Sequence, residues 1–169
     1  MKTITKTFNI YKFDELPQDT KEQLIKKECE ILTEEYCDYF LKEDMQEEAK
    51  ELLKENFGEK AVFQHVYYSL SYCQGDGAMI EFNLNYCGKN VEIRHNSYCH
   101  YYHENSFEIV EVDFDDELTH EQYQTLKEKI IDMNKQLAKY GYEFIEEDRT
   151  EEAIEQLNNY EFYENGDIY

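Results

Sequence analysis

Between Val62 and Val112 apolar and polar residues alternate. Val62, Val66, Tyr68, Leu70 and Tyr72 fall mostly on one side of an extended strand, and Ile80, Phe82, Leu84 and Tyr86 do the same further on. Successive side chains in a strand point to opposite faces, so this period of two gives each strand one apolar face. The two segments are joined by Cys73-Gln74-Gly75-Asp76-Gly77, where glycines on both sides of an Asp permit the positive φ values that a hairpin connection needs. Val91 and Ile93 continue the pattern, followed by Phe107 and Ile109 or by Val110 and Val112. The prediction is an antiparallel meander with helices before and after it.

Upstream, Thr3 to Phe13 alternates β-branched and aromatic residues and reads as a further strand of the meander. Asp14-Glu15-Leu16-Pro17 then turns the chain, and proline suits the first turn of a helix. Leu24, Ile25, Cys29, Leu32, Tyr36 and Phe40 recur at helical spacing, as do Met45, Ala49, Leu52, Leu53 and Phe57. The two runs are compatible with two helices or one bent helix. Asp44 suits the start of the second run and Gly58 its end. After the meander, Thr119 and Gln122 form a capping-box pattern. Tyr123, Leu126, Ile130, Met133, Leu137 and Tyr140 make a narrow helical seam, which Gly141 is expected to end. Tyr142 to Ile145 reads as a short extended piece. Thr150 or Asp148 can cap a last helix through Ala153, Ile154 and Leu157, and Asn165-Gly166 signals a closing hairpin turn. The expected fold is α+β: a four- or five-stranded antiparallel sheet with helices packed mainly on one face, in a single domain over residues 1–169.

Charge narrows the function classes. There are 39 acidic residues against 17 basic ones, a formal charge of -22, and only Arg94 and Arg149 among the basic residues are arginines. Nucleic-acid binding draws most of its affinity from cations that neutralise phosphates, so the charge argues against direct DNA or RNA binding, and against anionic membrane surfaces with it. The 16 Tyr and 10 Phe argue for a packed fold despite this charge. No apolar run is long enough for a membrane span or resembles a signal peptide, and five cysteines, an odd number, fit a reducing cytoplasm. Free thiols are expected, most of them buried as small hydrophobes.

Candidate chemistry is sparse. His95, Cys99, His100 and His103 crowd nine positions, and imidazole and thiolate are zinc ligands. An extended strand rising ~3.3 Å per residue would hold His95 some ~13 Å from Cys99, however, so only a tight turn could gather them. Rings packed across a strand pair are the simpler reading, and neither metal nor cofactor is expected. Asp76 reads as a structural turn residue, because the phosphate-loop lysine and following helix are missing. No carboxylate pair stands out as a general acid/base couple, and no catalytic residue is assigned.

The distribution of acidic residues is more informative. From His95 to Leu126 there is no Lys or Arg, and from Glu146 to Tyr169 Arg149 is the sole cation. Carboxylates three or four positions apart on a helix stand ~5–6 Å apart at Cβ, the same order as the phosphate spacing along one nucleic-acid strand. The residues expected to contact a partner are Glu111, Asp113, Asp115, Asp116 and Glu117, then Glu146, Glu147, Glu151, Glu152 and Glu155, with Tyr160 and Tyr163 as anchors.

Tyr68-Ser-Leu-Ser-Tyr-Cys-Gln-Gly-Asp-Gly-Ala78 resembles a motif in small proteins of bacteriophages and mobile elements. Tyr11-Lys-Phe-Asp-Glu-Leu16 and Glu161-Phe-Tyr-Glu-Asn-Gly-Asp-Ile-Tyr169 fit the same resemblance, with Pro17 standing where a capping residue such as Ser is expected. The resemblance implies a mobile-element origin and a place in the host bacterial cytoplasm, and carries no catalytic residue. By analogy with other small acidic proteins of such elements, it implies an inhibitor of host defence, of the anti-CRISPR or anti-restriction kind. The expected function is therefore binding to a basic, nucleic-acid-handling defence protein through nucleic-acid mimicry. The alternative is a regulatory or antitoxin-like binding module without mimicry.

Overall fold

The computed structural model describes residues 7–96, 102–103, 105–111 and 118–169. In chain order its elements are β1 (Tyr11–Lys12), α1 (Gln18–Tyr39), α2 (Leu41–Phe57), β2 (Ala61–Ser69), β3 (Gly77–Tyr86), β4 (Lys89–His95), β5 (Phe107–Glu111), α3 (His120–Ile145), α4 (Thr150–Leu157) and β6 (Glu161–Phe162). The fold is α+β. The chain divides into two compact units: Met1–Tyr39 with Glu147–Tyr169, called unit 1, and Phe40–Glu146, called unit 2.

Unit 2 holds the meander, with strand order β2-β3-β4-β5 and every pair antiparallel. Ile80, Phe82 and Leu84 on β3 and Val91 and Ile93 on β4 are buried, as their alternation requires, while Asn83 and Asn85 on β3 and Asn90 and Arg94 on β4, at alternate positions, are exposed. Of the two readings for the last strand, Phe107 with Ile109 holds: Ile109 stands opposite Ile93 and Phe107 is buried. In β2 the expected face is interrupted. The register shifts between Phe63 and His65, so Phe63 stands opposite Phe82 while Val62 is left 57% exposed. One extra residue at such a bulge moves every side chain before it to the other face. The β3–β4 connection is the tighter hairpin, and Cys87 and Gly88 both take positive φ, the pattern of a type I′ turn.

α2 and α3 pack on each other and on the strands. Thr119 and Gln122 exchange the two hydrogen bonds of a capping box at the start of α3. The expected stop at Gly141 and the extended piece over Tyr142–Ile145 are both corrected, because α3 runs on through Ile145. Gly141 serves packing instead. A Cβ there would lie 2.5 Å from Leu70 Cδ1 and 3.0 Å from Met45 Sδ, so the missing side chain lets neighbouring groups close onto the helix. Asn134, fully buried on α3, accepts the Ile80 N–H at 3.1 Å where β4 no longer pairs with β3.

The two apolar runs before the sheet are two helices, parted at Phe40. α2 begins three residues ahead of Asp44, which lies in its first turn rather than at its cap, and Gly58 ends it at φ 62°. In unit 1, α1 packs with α4, and Phe13, Leu16, Leu157 and Phe162 form a small core. The expected strand at the start of the chain is reduced, among the described residues, to Tyr11–Lys12. It pairs with β6 and does not join the four-stranded sheet; Thr3 to Lys6 lie outside the described residues. Asn165-Gly166 turns the closing hairpin, with Phe162 opposite Ile168.

Candidate functional site

Unit 1 separates its charges by sign. α4 buries Ala153 and Leu157 and leaves Glu151 and Glu155 exposed. Arg149, just before it, is only 5% exposed, with its guanidinium 4.7 Å over the Tyr36 ring and its Nη2 donating to Glu147 Oε2 at 3.2 Å. Tyr36 Oη donates to Glu152 Oε1 at 3.1 Å, and that bond raises the phenol pKa. The N-cap position of α4 is Arg149, so neither Thr150 nor Asp148 occupies it; Asp148, one residue earlier, accepts the Thr150 N–H at 3.0 Å, and its bonds to Thr150 hold its carboxyl below the usual range. Burial raises the Cys37 thiol on α1, against the opposing pull of Arg149. The cation of this segment is thus inside, while Glu147, Asp148, Glu151 and Glu155 are outside. Glu152 is half-buried and engaged. Tyr160 is exposed, and Tyr163 lies against Phe8 and Tyr169.

The other candidate contact residues are placed differently. Glu146 belongs to unit 2 and accepts from Tyr72 Oη at 2.7 Å. Glu111, on β5, accepts the Leu118 N–H at 2.8 Å, so its carboxylate ties the end of β5 to the residue two before α3. Asp113, Asp115, Asp116 and Glu117 lie outside the described residues.

The turn before β3 is organised by Asp76. Its Oδ1 accepts from Ser69 Oγ at 2.9 Å and Cys73 Sγ at 3.0 Å; its Oδ2 accepts from Cys73 N at 2.8 Å and Tyr142 Oη at 3.0 Å. Four bonds fill the acceptor capacity of an ionised carboxylate. The bond from the Cys73 thiol, with the others behind it, outweighs burial and holds the Asp76 carboxyl far below the usual range. Burial, followed by the bond to Asp76, pushes Tyr142 up to about 12. The same carboxylate raises the Cys73 thiol, the opposite of an activated nucleophile. Asp76 is therefore the keystone of a turn. A groove of about 470 Å³ beside it is lined by Ala78, Asn134, Ala138 and Tyr142, among others. Gly77 is fixed by a close approach, since a Cβ there would meet the Tyr102 carbonyl oxygen at 2.5 Å.

The histidines have other work. His103 Nδ1 lies 3.1 Å from the Asp76 carbonyl oxygen. The His95 ring packs against Tyr67 and Tyr102, and the His95 backbone N–H donates to Glu81 Oε1 at 2.7 Å. Cys99 and His100 lie outside the described residues, and among those described no group of three or more His, Cys, Asp or Glu could hold a metal ion. The expectation of buried thiols is corrected among the described cysteines: Cys29 and Cys37 are half-buried, while Cys73 and Cys87 are exposed because both sit in turns. No described helix is long and apolar enough to cross a membrane.

Sequence reasoning did not single out Tyr36, Tyr142 or Glu81 as partners. Each is joined to its acceptor or donor across separate elements, and no local spacing announces such pairs. No protein-family model, curated protein or solved structure matches the chain.

Proposed function

We propose that this chain is a non-enzymatic inhibitor that binds a basic, nucleic-acid-handling protein of a host defence system, of the CRISPR or restriction type, by presenting carboxylates where phosphates would lie. The observation that supports this reading most is the burial of Arg149. It leaves the exposed surface of its segment with Glu147, Asp148, Glu151 and Glu155 and no neighbouring cation from residue 146 to 169. Glu151 and Glu155 are one helical turn apart, so their spacing approaches that of successive phosphates. Asp76 and Cys73 in the turn, His103 beside Asp76 and His95 against Tyr67 and Tyr102 are committed to internal contacts, which favours a binding surface over a reaction centre.

The test is capture of the partner from a bacterial lysate at two salt concentrations, followed by competition with DNA and RNA. A chain carrying Glu147→Lys, Glu151→Lys and Glu155→Lys should associate at least about tenfold more slowly, with a shallower salt dependence, because exposed charges act mainly on encounter. An unchanged affinity and salt slope would return the charge to a role in solubility. Loss of binding without competition by nucleic acid would favour a regulatory module without mimicry.

A further inference from the structure

Among the exposed apolar side chains of unit 1, Phe8 and Tyr169 flank the Tyr163 ring, and Ile168 adjoins Tyr169 in the chain. Phe8 is 61% exposed, Ile168 59% and Tyr169 66%. The rings of Phe8 and Tyr163 meet edge to face with centroids 5.6 Å apart, and Tyr163 meets Tyr169 in the same way at 5.8 Å. Beside them runs a groove of about 410 Å³, walled by Phe8, Tyr11 and Tyr163 and rimmed by Glu164 and Asp167. Among the described residues that line it there is no lysine or arginine.

Leaving several large apolar groups together in water costs free energy, and such patches mark interaction sites. Asn165 Nδ2 donates to Asp167 Oδ2 at 2.8 Å and the Tyr163 N–H to the Asp167 carbonyl at 2.8 Å, so the rim is held in place by the closing hairpin. The occupant has to satisfy both walls and rim. An apolar side chain would use the rings and leave two carboxylates facing it. Lysine would meet the carboxylates with a compact, strongly hydrated charge that stacks poorly. Arginine does both, since its planar guanidinium is weakly hydrated, lies on aromatic faces and offers paired N–H donors to a carboxylate. The excess of carboxylates in this unit, 17 acidic against 7 basic residues, selects a cationic partner in the first place.

We infer that the groove between Phe8, Tyr11 and Tyr163 seats an arginine side chain of the basic partner, with its guanidinium on the rings and paired to Glu164 or Asp167. This rests on the reading of the chain as a binder of a basic protein and names the anchor that the exposed carboxylates lack. Aromatic residues and arginine are the groups that most often dominate such interfaces.

The test uses the full chain and two short peptides of equal charge and length, one bearing arginine and the other lysine, with a neutral apolar peptide as the third probe. Binding is followed by NMR shifts of the Phe8 and Tyr163 rings and by calorimetry. The arginine peptide should bind about fivefold more tightly than the lysine peptide, and the apolar peptide more weakly than either. Phe8→Ala and Tyr169→Ala, both at exposed positions, should reduce the arginine preference to near unity with the melting temperature unchanged, and Glu164→Gln combined with Asp167→Asn should do the same. Equal binding of the two charged peptides, tighter binding of the apolar one, no binding at all, or a preference that survives Phe8→Ala and Tyr169→Ala would each overturn the assignment. The charge-reversed variant at Glu147, Glu151 and Glu155 separates the two readings: it should weaken both charged peptides together and leave their ratio intact. If that ratio persists while no partner competes with nucleic acid, the mimic reading fails and the arginine groove stands.

Discussion

The two compact units carry similar charge and use it differently. Unit 1 has 17 acidic and 7 basic residues, and unit 2 has 22 and 10, so the smaller unit carries nearly as much net charge. In unit 2, Asp76, Glu81, Glu111 and Glu146 accept hydrogen bonds from other parts of the chain and act as braces. In unit 1, a buried arginine takes up Glu147 from within, Asp148 and Glu152 accept from Thr150 and Tyr36, and Glu151 and Glu155 face solvent. Net charge alone therefore does not identify an interface. What separates a brace from a contact residue is whether the carboxylate's acceptors are already filled, and only the exposed set is open to a partner.

The largest effect should come from unit 2. Gly77→Val would drive a branched side chain into the Tyr102 carbonyl, a backbone atom that cannot swing aside. We expect a loss of about 3 kcal/mol, visible as a lowered denaturation midpoint and faster amide exchange in β2 and β3. Full stability would mean that the close approach is not a constraint.

Next in size is the buried cation of unit 1. Arg149→Ala removes the guanidinium from Tyr36 and from Glu147 and should cost about 2 kcal/mol in urea unfolding. If the variant is as stable as the parent, burial of this arginine is incidental and the contrast between the units weakens.

Titration sharpens the comparison at both ends of the pH scale. The folded-state pKa of Asp76 lies below its unfolded value, so its contribution is fully present above about pH 4 and is lost as pH falls. Tyr142 is raised to about 12, so its contribution is fully present below about pH 10 and is lost as pH rises towards 12. Asp76→Asn should flatten the acid limb of the stability profile, and Tyr142→Phe the alkaline limb. A parent profile already flat at both ends would show that the hydrogen-bonded turn contributes nothing to folding.

The smallest effect on folding is expected where the effect on binding is largest. Glu151→Lys with Glu155→Lys should change stability by no more than about 0.5 kcal/mol, because exposed charges are screened and solvated. A much larger loss in thermal melting would place these residues among the braces.

Wherever local pattern and tertiary packing agreed, the elements were legible in the sequence. The meander, the Thr119–Gln122 capping box and the Asn165-Gly166 turn were all readable because each is set by neighbours in the chain. So was the candidate surface of α4, since an amphipathic helix with one apolar face must turn Glu151 and Glu155 outward. The face of Val62 was misread, because a bulge leaves no mark in an alternating pattern until a partner strand fixes the register. Gly141 carries the local signal of a helix stop, yet it stays inside α3, where Leu70 and Met45 need the space a side chain would fill.

By itself, the sequence determined the element types, the antiparallel order of the central strands and the acidic balance, all of which follow from periodicity, turn chemistry and charge. Only the tertiary structure decided that β1 leaves the central sheet for β6, that Arg149 turns inward while its acidic neighbours stay outside, and that Asp76 has its four acceptors filled. The physical reason is the same in each case. These outcomes depend on hydrogen-bond partners and packing volumes contributed by residues distant in the chain, and no local window contains both sides of such a contact.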